Sequence, residues 1–110
     1  MKIGQGVLGI VPFKDGTVPA YRRTYLVVGV TGAEVELLNV SSSDGKEHKL
    51  LYQSNRVIVN YRPPFLKRSF VKLDSLVSIP LSTAKSLKIL HNGDCLDGNE
   101  LQLIIDSIIR

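Results

Sequence analysis

The chain has one cysteine, Cys95, and no tryptophan, and only 6% of its 110 residues are aromatic. A lone cysteine excludes any intramolecular disulfide and any cysteine-rich zinc site, which fits a reducing cytosol. Long hydrophobic runs are also missing. The opening "MKIGQGVLGIVPF" is broken by glycines and ends its apolar stretch at Pro12, with a single lysine ahead of it. That is a poor secretory signal and too short to cross a bilayer, which takes about 20 apolar residues. The carboxylates are scattered, with no cluster suited to a magnesium-dependent nuclease, and no cofactor is expected. His48 and His91 lie in polar turns without partners at metal-ligand spacing. "GQGVLG", Gly4 to Gly9, matches G-x-G-x-x-G in letters only. No strand precedes it and a β-like run follows, so it reads as strand glycines near a bend rather than a dinucleotide fingerprint.

What is present suits one small domain, spanning residues 1–110. A hydrophobic fraction of 44% is enough for one core and too little chain for two ordinary domains. The formal charge is +4 and unevenly spread. Lys46, Lys49, Arg56, Arg62, Lys67, Arg68 and Lys72 face Glu47 alone in the middle of the chain, whereas Asp94, Asp97, Glu100 and Asp106 face only Arg110 near its end. A basic middle attracts polyanions, nucleic acid first among them.

Five segments, "GVLGIVPF", "RTYLVVGV", "AEVELLNVS", "KLLYQSNRVIVN" and "SFVKLDSLVSI", are rich in Val, Ile, Leu and Tyr. Turn signals separate them: "KDG" at 14–16, "TGAE" at 31–34, "SSSDGK" at 41–46 and "RPP" at 62–64. The pattern predicts a mainly β, α+β domain built on a small antiparallel sheet or barrel. Leu101, Ile104, Ile105, Ile108 and Ile109 recur at helical spacing, and Asp97 with Glu100 has the form of a capping box, so an amphipathic helix is expected at the C-terminal end. Ser82 is expected to cap a short turn through "TAKSLKI", ended by "HNGD" at 91–94.

Within "RSFVKLDSLVSIP", strand alternation would set Val71, Leu73, Ser75, Val77 and Ile79 on one face and Phe70, Lys72, Asp74, Leu76 and Ser78 on the other. A cation and a carboxylate two residues apart would then look the same way, either as a solvated ion pair or as a paired acid and base. RNA carries its own nucleophile in the 2′-hydroxyl, so a base, an acid and a cation near the phosphate can cleave it without a metal. Asp74 is the candidate base. Lys72, Arg22 and Arg23 are candidate cations or proton donors, and Ser41 a hydrogen-bonding hydroxyl.

"GVLGIVPFKDG", "YRRTYLVV", "LLNVSS", "SFVKLDSLVSIP" and the terminal amphipathic segment together resemble, in order, the MazF/PemK/Kid toxins of bacterial toxin–antitoxin modules, over about residues 4 to 109. The resemblance implies an SH3-like barrel that dimerises and acts as a cytoplasmic, metal-independent endoribonuclease on single-stranded RNA, held in check by an acidic antitoxin protein. It places Arg23 on the catalytic arginine, Ser41 on a hydroxyl position, and Lys72 and Asp74 on a basic and acidic pair. Arg22, Lys46, Lys49, Arg56, Lys67 and Arg68 are the RNA-binding cations expected around them. The chain departs from the family at Thr24, where proline is common, at Ser41, usually threonine, at Val77, typically arginine, and in "GTVPAY", which lacks a carboxylate. Those departures bear on cleavage sequence and activity. The loop "SSSDGKEHKLLYQSN" is long enough to cover the groove as a lid. An SH3-like module that binds RNA or peptide without catalysis, and a gyrase-directed toxin on the same fold, are the alternatives.

Overall fold

A computed structural model describes residues 1–46, 48–49 and 52–110. Its strands are β1 (Gly6–Gly9), β2 (Arg23–Val30), β3 (Glu34–Ser42), β4 (Asn55–Ile58), β5 (Ser69–Lys72), β6 (Val77–Pro80) and β7 (Lys88–Ile89). Two helices accompany them, α1 (Leu81–Ala84) and α2 (Gly98–Asp106). The expected mainly β, α+β class is the one the chain adopts. The strands form one 7-stranded antiparallel sheet in the order β4-β5-β3-β2-β1-β7, with β6 also on β3. Among the described residues no ladder joins β4 to β7.

The β-branched and leucine-rich segments at β2 and β3 make the longest ladder, closed by the "TGAE" turn. There Thr31 Oγ1 accepts from the Glu34 N–H at 3.0 Å, the local side-chain bond that makes threonine a turn residue. β3 is shared along its other edge: Val40–Ser42 pair with β5 and Glu34–Leu37 with β6. What reads in sequence as one strand from Ser69 to Ile79 is therefore two, parted by a turn at Leu73–Asp74. The expected alternation across Phe70 to Ser78 accordingly fails, and Phe70 is wholly buried. The strand expected from Lys49 onward begins only at Asn55, and Leu50 and Leu51 lie outside the described residues.

Alternate residues of β2 and β3 feed two apolar clusters, one on each face of the sheet, where composition alone suggested a single core. Leu26, Val28, Leu38, Val40 and Val71 join Ile104 of α2 on one side. Tyr25, Val27, Val35 and Leu37 join Val7, Val11 and Ala84 of α1 on the other. An antiparallel sheet covered on both faces buries both sets of side chains. β1 crosses close under other chain at Gly6, where an added Cβ would lie 2.9 Å from the Pro64 ring, so only glycine fits there.

α2 begins as its sequence suggests, with the Asp97 carboxylate accepting from the Glu100 N–H at 3.1 Å. The return half of the capping box is absent: the Glu100 carboxylate, 5% exposed, instead accepts from the Val59 N–H at 3.0 Å, just beyond β4. α1 starts from Pro80 without a side-chain cap, and Ser82 sits inside it rather than before it. Among the described residues no helix is long and apolar enough to cross a membrane.

Candidate nucleic-acid interface

Cross-strand register decides which charges share a face. Thr24 pairs with Val40, Val40 with Val71 and Val71 with Arg56, a row belonging to the face covered by α2. The neighbouring positions look the other way: Arg23 and Tyr25 on β2, Asn39 and Ser41 on β3, Lys72 on β5 and Asn55 on β4. Arg23, Ser41 and Lys72 thus lie on one face, beyond the end of the Tyr25–Val27 cluster.

The β3–β4 connection adds further cations to it. Lys46 Nζ donates to Ser41 Oγ at 2.9 Å. Asn55, the ladder partner of Lys72, donates from Nδ2 to the Lys49 carbonyl at 2.8 Å and so holds Lys49 beside the sheet. Burial pushes the Lys72 ammonium below the ordinary lysine value, and Arg23, Lys49 and Lys46, in that order, push it further. Among the described residues Asp74 alone works against them. The carboxylate reaches this neighbourhood through the Leu73–Asp74 turn rather than by strand alternation. Among the described residues the ion pairs are Lys67–Asp44 and Arg110–Glu36, and His91 is hydrogen-bonded to Asp94, so Lys72 and Asp74 are not directly paired. Positive charge held close in a partly desolvated place, with one exposed carboxylate beside it, suits a phosphodiester.

Arg23 is fixed by two aromatic rings. Its guanidinium carbon lies 4.8 Å from the Tyr21 ring centre and 5.2 Å from that of Phe13. Nη2 donates to Tyr21 Oη at 3.3 Å, and among the described residues the buried Nε has no partner. Such stacking holds the planar cation in place without neutralising it.

The turn carrying Asp74 is tied to β3 by Ser75, whose Oγ accepts from the Asn39 N–H at 2.8 Å and donates to the Lys72 carbonyl at 2.6 Å. Beside it a groove of about 360 Å³ is lined by residues that include Phe13, Asp15, Tyr25, Asn39 and Asp74.

The structure therefore brings together Arg23, Ser41, Lys46, Lys49, Lys72 and Asp74, and separates the remaining expected cations from them. Arg22 lines a different groove with Leu8, Gly9 and Lys88, so the arginine doublet is split across the sheet. Arg56 lies on the α2 face, because its ladder partner is Val71 and not Lys72. Lys67 pairs with Asp44 at 3.6 Å and borders an apolar groove with Thr24, Val40 and Ser42. Arg68 contributes its carbonyl to Ser43, and its exposed side chain is not among the charges that bear on Lys72. Glu47 lies outside the described residues, so the loop expected as a lid is described only in part. Sequence reasoning missed Phe13, Tyr21, Asn39 and Ser75. "LDS" was a usable turn signal for Ser75, whereas nothing local marks Phe13 and Tyr21 as partners of Arg23. Among the described residues no three His, Cys, Asp or Glu side chains converge on a metal position.

No family model, curated protein or solved structure matches the chain.

Proposed function

We propose that the chain is a toxin-type endoribonuclease of the MazF/PemK/Kid kind, an SH3-like barrel that cleaves single-stranded RNA by attack of the 2′-hydroxyl without a metal. The observation that carries this reading is the gathering of Arg23, Lys46 and Lys49 around the half-buried Lys72, with the exposed carboxylate of Asp74 also within reach of that ammonium. Asp74 takes the proton from the 2′-oxygen as that oxygen attacks phosphorus. The P–O5′ bond breaks, and Lys72 passes its proton to the departing 5′-oxygen. A cyclic 2′,3′-phosphate and a 5′-hydroxyl result. Arg23 bears on the charge that builds on the phosphoryl oxygens, and an ammonium of lowered proton affinity is a better acid toward an alkoxide. Ser41 holds Lys46 in place through its hydroxyl.

The acting form in this reading is a cytoplasmic homodimer, and an acidic antitoxin segment competes with RNA for the cationic face. The test is cleavage of a single-stranded RNA by the purified protein in EDTA, read for cyclic phosphate ends, with duplex RNA and DNA as controls. Cleavage confined to the single strand and indifferent to EDTA is expected. A strict magnesium requirement would overturn the mechanism, and salt-sensitive RNA binding without cleavage would make the chain a non-catalytic RNA-binding module.

A further inference from the structure

The groove beside Asp74 has an unusual balance of free hydrogen-bonding groups. Its donors are mostly engaged: Asn39 Nδ2 donates to the Thr24 carbonyl at 3.2 Å, Ser75 Oγ to the Lys72 carbonyl at 2.6 Å, and Tyr25 Oη to the Val11 carbonyl at 3.4 Å. Among the described residues Lys14 is the one cation in its lining. Acceptors are left over. Asp15 Oδ1 receives the Thr17 N–H at 2.9 Å and the Thr17 hydroxyl at 2.7 Å, which fixes the carboxylate in a turn and leaves Oδ2 free. The same two bonds hold Asp15 below the ordinary carboxylate value, so it is ionised at neutral pH. Orienting Asn39 Nδ2 on Thr24 turns its Oδ1 the other way, and Asp74 adds a second carboxylate.

The wall is aromatic and apolar. Phe13, which carries Arg23 over its ring at 5.2 Å, also lines this groove, as do Pro12 and Val77. Flat apolar walls with a few convergent polar groups suit a stacked base, and single-stranded RNA is read through the exposed edges of unstacked bases. An edge that meets acceptors must present N–H donors. Cytosine, adenine and guanine do so with an exocyclic amino group, whereas uracil offers a single N–H, at N3, set between two carbonyl oxygens that repel a carboxylate.

We propose that this groove reads one base of the bound RNA and selects a base with an exocyclic amino group over uracil, with Asp15 as the reading carboxylate and Phe13 as the stacking wall. The inference rests on the RNA-binding reading above and adds the base class to it. Asp15 approaches the base and not the phosphate, so it is a specificity residue and not part of the cleaving set.

The test is fluorescence anisotropy with short single strands that are 2′-O-methylated throughout and so cannot be cleaved by 2′-hydroxyl attack. Oligo-C is compared with oligo-U, and oligo-A with an oligomer of unsubstituted purine riboside, pairs that differ chiefly in the exocyclic group and little in stacking area. The amino-bearing member should bind about 10-fold tighter in each pair, the size of one hydrogen bond to a charged acceptor. Asp15→Asn, which retains an acceptor for Thr17, should narrow that gap while leaving salt-sensitive binding to oligo-U in place. Equal affinity within both pairs, or an undiminished gap in Asp15→Asn, overturns the base assignment and leaves RNA binding standing. No binding to any strand overturns both.

Discussion

The backbone N–H of Asn39 ends on a side chain and not on a neighbouring strand: Ser75 Oγ accepts it at 2.8 Å while donating to the Lys72 carbonyl at 2.6 Å. One hydroxyl thus fills the gap in the ladder where β5 gives way to β6. Ser75→Ala should leave the buried Asn39 amide short of a partner and cost about 1–3 kcal/mol, read by urea or thermal unfolding. Cleavage should fall further than stability explains, because the turn that aims Asp74 is released, and Ser75→Thr should restore part of both.

Arg23→Ala and Asp74→Asn should give folded proteins that have lost RNA cleavage. Removing one preorganised cation from a transition-state phosphate costs on the order of 100-fold to 1000-fold in rate, and removing a general base on the order of 100-fold to 10,000-fold. Asp74 is exposed, so its replacement should shift stability by no more than about 0.5 kcal/mol. Lys72→Ala should lose the proton given to the 5′-oxygen, on the order of 100-fold to 10,000-fold in rate, because Lys46 and Lys49 supply part of its field but not its proton. Melting and cleavage measured on the same preparations check this, and full activity in both the Arg23 and Asp74 variants would leave these charges as solvated surface.

Lys72 makes a pH prediction with a definite sign. Its folded-state affinity for a proton lies below the ordinary value of 10.5, through burial first and then Arg23, Lys49 and Lys46. In the window between the lowered value and 10.5 the unfolded chain binds more protons at this position, so this group's contribution to stability increases as pH rises there. Lys72→Met should remove that increment, seen as a flatter alkaline stability profile. The proposed acid acts only while protonated, so the cleavage rate should fall as pH rises through the lowered value. Lys72→Arg, whose side chain does not titrate in this range, should abolish that limb.

Glu100 gives a contrasting prediction away from the site. Its carboxylate takes the Val59 N–H at 3.0 Å and ties α2 to the end of β4. Glu100→Ala should destabilise the protein by about 1–3 kcal/mol by stranding that donor, with RNA cleavage per folded molecule unchanged. Denaturant melts and active-site titration would separate the two effects.

Much of the sheet is legible in the chain, and the reasons are local. β2 and β3 announce themselves through β-branched runs joined by "TGAE", and α2 through its isoleucine spacing and Asp97. The break inside "SFVKLDSLVSIP" is hidden, because Leu73 and Leu76 continue the apolar look of a strand while the turn depends on a hydroxyl bond to Asn39, distant in sequence. Charge alone groups Arg22 and Arg56 with Arg23 and Lys72. Which face a residue takes depends on register between strands, and single-chain patterning does not carry that. The two rings on Arg23 escaped for the same reason: Phe13 lies across a loop from it, and only the folded chain brings them into contact.

β3 lies between β2 on one edge and the successive pair β5 and β6 on the other, and its side chains enter both apolar clusters. Both rows of its amides are therefore paired inside the sheet, away from either edge, and they belong with the last hydrogens to exchange as the molecule opens. The Lys72–Asp74 segment bridges the two strands docked on that slow edge, so the carboxylate and the ammonium keep their spacing in partly opened states that shed β4, β7 or the ends of the chain.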